Sequence, residues 1–207
     1  QLIRWVKAFL SNRVQCVRIN DKLSGVKPVL SGIPQGSVLG PVLFVIFIND
    51  LPLACNNLSE SFLFADDSKL YKHISNHSDV VYLNSACQNV YDWCNNWLMK
   101  LNVKKCKVLS IARSKNDIVH YDYGFDTLEG ESVHLEHVST MKDLGVVIDS
   151  ELSYSRHIYD KINLAYRMLG IINRNFNSLD TFSFIMLYKS LIRSHLEFSH
   201  SVWSPYK

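Results

Sequence analysis

One stretch constrains this chain more than any other: Ser61-Phe62-Leu63-Phe64-Ala65-Asp66-Asp67-Ser68-Lys69-Leu70-Tyr71. Phe62, Leu63 and Phe64 form a continuous, aromatic-rich apolar run, the pattern of a buried strand. Lys69 to Ile74 alternates polar and apolar, the pattern of a half-exposed one. Between them Ala65-Asp66-Asp67-Ser68 is short, and Asp and Ser favour turns because their side chains bond nearby backbone groups. The stretch therefore predicts a tight hairpin that presents two carboxylates at its tip. Adjacent like charges repel unless a cation lies between them, and paired carboxylate oxygens suit a hard divalent ion. An ordinary turn with two solvated acids uses the same residues, so this stretch alone leaves both readings open.

A second irregular segment, Ser31-Gly32-Ile33-Pro34-Gln35-Gly36-Ser37-Val38-Leu39-Gly40-Pro41, lies upstream. Its glycines and first proline predict a loop where backbone can approach a ligand closely. Ser37 is a candidate helix N-cap, with Pro41 in or near the first turn, where a missing N–H costs least. The helix beyond, Val42 to Leu51, is apolar nearly all round and is expected to be buried. A glycine loop feeding a helix N-terminus suits a phosphate or nucleotide neighbour, and a purely structural loop has the same composition.

With 207 residues, 47% hydrophobic and 12% aromatic, the chain can bury a real core and is not of the disordered class. The net charge of +3 excludes little, but its distribution is uneven. Residues 98–116 carry Lys100, Lys104, Lys105, Lys107, Arg113 and Lys115 with no acid, while residues 117–151 are acidic apart from Lys142. Beyond residue 156 basic side chains again predominate. Such blocks suggest local surfaces that meet a polyanion, with an acidic insert facing elsewhere; a solvated surface is the plain alternative. The five cysteines form no Cys-x-x-Cys pair, which points to a reducing compartment, and Cys87 and Cys94 read as core residues rather than zinc ligands. The longest apolar run, Val38 to Ile48, is too short to span a bilayer and no signal-peptide layout opens the chain. The expectation is a soluble intracellular protein with no membrane association, in the nucleus and/or the cytoplasm.

The remaining pattern is mixed. Residues 1–10 repeat apolar positions at three and four, as a helix already under way at the first residue. Val14 to Ile19 and Val26 to Leu30 read as strands joined by a turn-rich link at 21–25. Residues 78–98 carry the clearest helix, with Leu83, Ala86, Cys87, Val90, Trp93, Cys94 and Trp97 in one stripe and Ser78 or Asp79 at its start. Short strand candidates follow at Val108–Ala112, Ile118–Phe125, Val133–Val138 and Leu144–Ile148. Two helices close the chain, one carrying Ile158, Ile162, Ala165, Leu169, Ile172 and Phe176, the other running from Asp180 to Leu196. Strands give way to helices near residue 152, where a subdomain boundary is expected.

Taken together, the Pro-Gln-Gly loop, its helix and the Phe64-Ala65-Asp66-Asp67 hairpin resemble the reverse transcriptases of non-LTR (LINE-type, jockey-like) retrotransposons. Trp97-Leu98 with Leu101-Asn102-Val103-Lys104-Lys105-Cys106 looks like that family's next palm motif. Lys142-Asp143-Leu144-Gly145-Val146 looks like its primer-gripping strand. Arg193-Ser194-His195-Leu196 and Ser201-Val202-Trp203-Ser204-Pro205 look like its thumb and connection. The resemblance implies an α+β fold: a polymerase palm at 1–151, a partial antiparallel sheet with packed helices, and a helical thumb at 152–207.

It also implies template-directed nucleotidyl transfer by an RNA-directed DNA polymerase with Mg2+ (or Mn2+), acting on an RNA template, a DNA primer and deoxynucleoside triphosphates. By match, Asp66 is the principal catalytic metal ligand with Asp67 beside it. Pro34, Gln35 and Gly36 lie where the incoming nucleotide meets the template. Lys105 approaches the triphosphate, with Lys104 and Lys107 as competitors, and Lys104, Arg167 and Arg174 follow the nucleic-acid backbone.

The chain departs from the family at one place. These polymerases carry a further metal-binding Asp on a strand before the Pro-Gln-Gly loop, and here the only acid before residue 50 is Asp21, in a turn. Asp50 follows the loop and suits a capping or surface role. The expectation is a palm and thumb fragment without fingers, endonuclease or first catalytic strand, inactive unless joined to the remainder of the polymerase. A decayed or co-opted remnant that only binds nucleic acid is the alternative.

Overall fold

In a computed structural model the described residues are 1–204, the side chain of Lys115 excepted. Pro205, the last residue of the connection-like motif, lies outside them. The backbone divides into two compact units, 1–100 and 101–207.

The first unit opens with helix α1 (Leu2–Leu10). Four very short strands follow, β1 (Val14–Gln15), β2 (Arg18–Ile19), β3 (Lys22–Leu23) and β4 (Lys27–Pro28), paired β1 with β4 and β2 with β3, all antiparallel. The two strands expected here are thus one interrupted hairpin. Its turn is tighter than the 21–25 link the sequence suggested: Asn20 takes a left-handed φ of 53° and Ile19 pairs with Lys22. The Pro-Gln-Gly loop leads to helix α2 (Leu39–Ile48) and the single turn α3 (Leu51–Ala54). Strands β5 (Glu60–Phe64) and β6 (Asp67–Tyr71) form an antiparallel hairpin, and α4 (His77–Asn96) completes the unit.

Helix α4 begins where its chemistry closes the first turn. Asn76 Oδ1 accepts from Asp79 N at 3.2 Å and Asp79 Oδ2 accepts from Asn76 N at 3.1 Å, a reciprocal capping box. These bonds, led by the one from Ser75 N, hold the Asp79 carboxyl below its ordinary value. Ala86, Val90, Trp93 and Cys94 of the expected stripe are buried, joined by Val80, while Leu83 and Cys87 are partly buried and Trp97 at the C-cap stays half exposed.

Helix α2 corrects an expectation. It is apolar on every side, yet only Gly40 and Ile48 are buried, and Val42, Val45 and Ile46 are 53%, 59% and 67% exposed. One side is covered: Phe47 meets Trp93 and Trp97 edge-on at 5.8 and 5.5 Å between ring centroids. Uniform hydrophobicity states how many partners a helix wants, and within the described residues this one receives partners on one side only.

The second unit holds short strands and then helices. A 3-10 turn at Val103–Lys105 precedes β7 (Lys107–Val108). β8 (Gly124–Asp126) and β9 (Ser132–His134) pair antiparallel, and β10 (Glu136–His137) runs parallel to β7. β11 (Thr140–Asp143) and β12 (Val146–Asp149) form a second tight hairpin. The strand expected at Leu144–Ile148 therefore starts later, because Leu144 and Gly145 make the turn, with φ of 44° and 87°. Ile118–Phe125 yields regular pairing only from Gly124.

Helix α5 (Ser155–Asn175) starts after residue 152, as the change of pattern predicts, and α6 (Thr181–Leu187) is capped by Asp180, whose carboxylate accepts from Ser183 N at 2.8 Å. A π-turn (Tyr188–Arg193), α7 (Ser194–Leu196) and α8 (His200–Trp203) close the described chain. Ala165, Ile172 and Ile192 form the helical core, with Met168, Leu169, Leu179, Leu187 and Leu196 packed round it. The architecture is mixed α and β, and no helix of the described residues is long and apolar enough to cross a membrane.

Candidate functional site

The β5–β6 register pairs Phe64 with Asp67, Phe62 with Lys69 and Leu63 with Ser68, so the turn has only two residues, Ala65 and Asp66. Ala65 takes a left-handed φ of 51°, a conformation that costs a non-glycine residue about 1–2 kcal/mol. Asp67 and Ser68, expected in the turn, instead open β6. Asp66 stands at the tip and Asp67 on the strand next to it, both exposed.

Alternation across the pair decides the rest. Ser61, Leu63 and Leu70 lie on the half-buried face, while Phe62, Phe64, Asp67 and Tyr71 share the exposed one. Phe62 and Phe64 are 53% and 60% exposed, which overturns the buried-strand reading of Phe62-Leu63-Phe64. An apolar run states hydrophobicity, but pleating sends every second side chain to the opposite face, and that face is uncovered among the described residues.

The Pro-Gln-Gly loop is shaped by its own bonds. Gly32 and Gly36 both take positive φ, 76° and 79°, which the glycines at those places permit. Ser37 Oγ donates to Pro34 O at 2.7 Å and accepts from Gly40 N at 3.0 Å. It thus serves the helix start from one position before the N-cap residue, Val38, rather than as the N-cap itself. A Cβ on Gly40 would stand 3.0 Å from Pro34 O, so the loop folds tightly onto the first turn. The guanidinium of Arg13 donates to Ser31 O, at 3.2 Å, and to Gly32 O, tying the loop to the short strands before it. Nothing in the sequence pattern singled out Arg13. Pro34 is half-buried; Gln35 and Gly36 are exposed.

The two other acids have structural work. Asp50 Oδ1 accepts from Trp93 Nε1 at 3.2 Å, which anchors the start of α3 on α4, so its role is neither a side-chain cap nor a free surface charge. Asp21 sits at its hairpin tip, 3.8 Å from Arg18. Among the described residues no three His, Cys, Asp or Glu side chains gather in a group that could hold a metal ion. Asp66 and Asp67 have the right donor chemistry for a hard cation and supply only part of the six or so oxygens such ions take.

Lys104, Lys105, Arg167 and Arg174 belong to the second unit. Lys104 and Lys105 project from the 3-10 turn and are exposed, whereas Lys107 is ion-paired with Glu136 across β7–β10. Arg167 and Arg174 lie on the exposed side of α5, and Arg174 Nε turns back to Gly170 O at 3.2 Å. Cys94 is buried and Cys87 partly buried in α4, where the core reading placed them.

Comparison with known proteins agrees with these features. Residues 1–148 match the family described as reverse transcriptase (RNA-dependent DNA polymerase). The RNA-directed DNA polymerase from mobile element jockey of Drosophila melanogaster is 30% identical over 177 residues, 81% of this chain and 18% of that protein. Its counterpart from Drosophila funebris is 31% identical over 168 residues, 76% of this chain and 17% of that protein. The probable RNA-directed DNA polymerase from transposon X-element is 25% identical across 96% of this chain and 22% of its own length. The chain thus spans about a fifth of the curated relatives it matches. No solved structure matches it. The chain belongs to the reverse transcriptase (RNA-dependent DNA polymerase) family, among the polymerases of non-LTR retrotransposons.

Proposed function

We propose that this chain supplies the metal-binding hairpin and the helical thumb of an RNA-directed DNA polymerase, with residues 1–151 as palm and 152–207 as thumb. It contributes to template-directed nucleotidyl transfer only when joined to the remainder of the polymerase, inside the cell, in the nucleus and/or the cytoplasm. The observation that carries this reading is the two-residue turn at Ala65-Asp66, which sets two adjacent carboxylates on an exposed tip.

Asp66, with Asp67 beside it, would hold Mg2+ or Mn2+; bound there, the ion would lower the barrier to attack by a primer 3′ hydroxyl and neutralise triphosphate charge. Gln35 and Gly36 line the template–nucleotide junction, where the exposed loop backbone can approach a base pair without a side chain in the way. Lys105 meets the triphosphate. The ion pair of Lys107 with Glu136 favours Lys105 and Lys104 over Lys107 for anion contacts. Lys104, Arg167 and Arg174 follow the phosphate backbone of an RNA template and DNA primer.

The recombinant chain, given a primed RNA template, Mg2+ and deoxynucleoside triphosphates, is expected to yield no extended primer. Extension would overturn the requirement for the remainder of the polymerase. Binding to a primer–template hybrid is expected to weaken with salt, and Lys104→Ala with Lys105→Ala to flatten the log–log salt slope by about 1 per lysine. A hybrid affinity indifferent to salt and to both changes would remove the second unit from the nucleic-acid interface.

A further inference from the structure

The β11–β12 hairpin is held to the helices by one buried imidazole. Asp143 and Val146 close the two-residue turn, and because antiparallel pairs alternate, the N–H of the next residue, Val147, points away from β11. It donates to His157 Nδ1 at 3.1 Å. His157, in the first turn of α5, is 1% exposed. With Nδ1 accepting, the neutral ring carries its proton on Nε2, and Nε2 is buried with no hydrogen-bond partner. The Trp203 ring of α8 packs on the imidazole at 5.4 Å between centroids. The tip is held separately: a Cβ on Gly145 would lie 2.9 Å from the Phe198 ring, and Lys161 Nζ sits over that ring, 4.2 Å from its centre.

We propose that His157 is a positioning residue, which in its neutral form keeps the β11–β12 hairpin docked on α5 so that Lys142 is presented to the primer strand. This rests on the reading of the chain as a polymerase piece whose 142–146 segment contacts the primer. A protonated imidazole carries N–H on both nitrogens, so Nδ1–H would face Val147 N–H, donor against donor, and the bond cannot survive. The charged groups acting on the ring are Lys161 and Asp160 of α5; Lys142 of β11 acts in turn on Lys161, and the His200 ring of α8 meets the other partner of the imidazole, Trp203, at 5.4 Å. Burial first, and then Lys161, hold the ring neutral to lower pH than an ordinary imidazole, with Asp160 pulling the other way. The released hairpin therefore takes up the proton more readily than the docked one. Docking is complete above about pH 6.5 and weakens as pH falls through the docked-state value.

Amide hydrogen exchange on the full chain tests this, with His157→Leu removing the acceptor and His157→Asn keeping one, Oδ1, that does not titrate. After correction for intrinsic exchange, Val147 in the wild type should be protected at pH 7.5 and lose protection progressively as pH falls below about 6.5. His157→Asn should keep it at both, and His157→Leu should lack it at both while the α5 amides stay protected. If His157→Leu does not fold, the pH contrast between wild type and His157→Asn decides alone. Hybrid binding supplies the second arm: Lys142→Ala should weaken binding several-fold in the wild type and His157→Asn, and not in His157→Leu. Val147 protection unchanged by His157→Leu, or a pH dependence that persists in His157→Asn, would overturn the positioning role with the primer reading intact. Exchange as expected, with Lys142→Ala silent in every background, would overturn the primer-contact reading and the role of His157 together.

Discussion

Two hairpins of the same length of turn meet opposite fates in this chain. β5–β6 turns through Ala65 and Asp66 and leaves Phe62, Phe64 and Tyr71 exposed on one face. β11–β12 turns through Leu144 and Gly145, buries Val146, and is gripped by His157 at its stem and Phe198 at its tip. The first keeps its acids and aromatics unengaged; the second uses its side chains on its own neighbours. An unengaged carboxylate pair is open to a cation, while a clamped hairpin keeps its place. The difference is not in local strand chemistry, since both are short and tight. It comes from which elements follow in sequence: α5 begins six residues after β12 and folds back on it, whereas α4, after β6, covers only the Leu63–Leu70 face.

The sharpest way to break this contrast is at the second turn. Gly145→Ala places a Cβ in a left-handed backbone of φ 87° and against Phe198, and should cost about 2–3 kcal/mol in chemical denaturation. Next comes the link from β12 to α5. Asp149 accepts from Glu151 N, Ser153 N and Tyr154 N at 3.1, 2.9 and 2.7 Å, and Asp149→Ala should cost about 1–2 kcal/mol. Burial by itself would raise the Asp149 carboxyl, but these N–H bonds outweigh it and bring it below the ordinary value. Its contribution is therefore complete above about pH 3.9 and lost as pH falls through the folded-state value, so Asp149→Asn should flatten that part of an acid titration of stability.

Smaller effects belong to the first hairpin. Ala65→Gly relieves a left-handed alanine at the expense of a looser unfolded chain, and should stabilise by no more than about 1 kcal/mol in the same denaturation measurement. Smallest is Asp66→Asn, with unfolding free energy within about 0.5 kcal/mol of wild type because the exposed tip supports nothing else. The same change should abolish whatever weak Mg2+ binding calorimetry detects. Loss of several kcal/mol on Asp66→Asn would mean that the tip is structural and would remove the contrast between the hairpins.

Much of this was legible in residue order alone. The periodicity of α4 marked Ala86, Val90, Trp93 and Cys94 for burial, though it missed Val80 and included Leu83, Cys87 and Trp97, which are only partly covered, and Asp180 marked the start of α6. The turn between two apolar runs located Asp66, and the glycines and proline of the Pro-Gln-Gly segment marked an irregular loop, in which Gly32 and Gly36 take positive φ. Local chemistry suffices for these because caps, turns and helical stripes depend on residues a few positions apart.

Partnership at a distance was not legible. Arg13 reaching Ser31 O, Asp50 receiving the Trp93 indole and His157 taking the Val147 N–H join residues that no pattern links. Nor could hydrophobicity tell that Phe62, Phe64 and the outer side of α2 would be left uncovered, since it measures the demand for burial and not the supply of partners. Residue order thus settled the family, the two-carboxylate turn and the cap of α6, all consequences of short-range chemistry. Which hairpin would be clamped and which left open was decided by tertiary packing, because only the folded chain determines what covers each face.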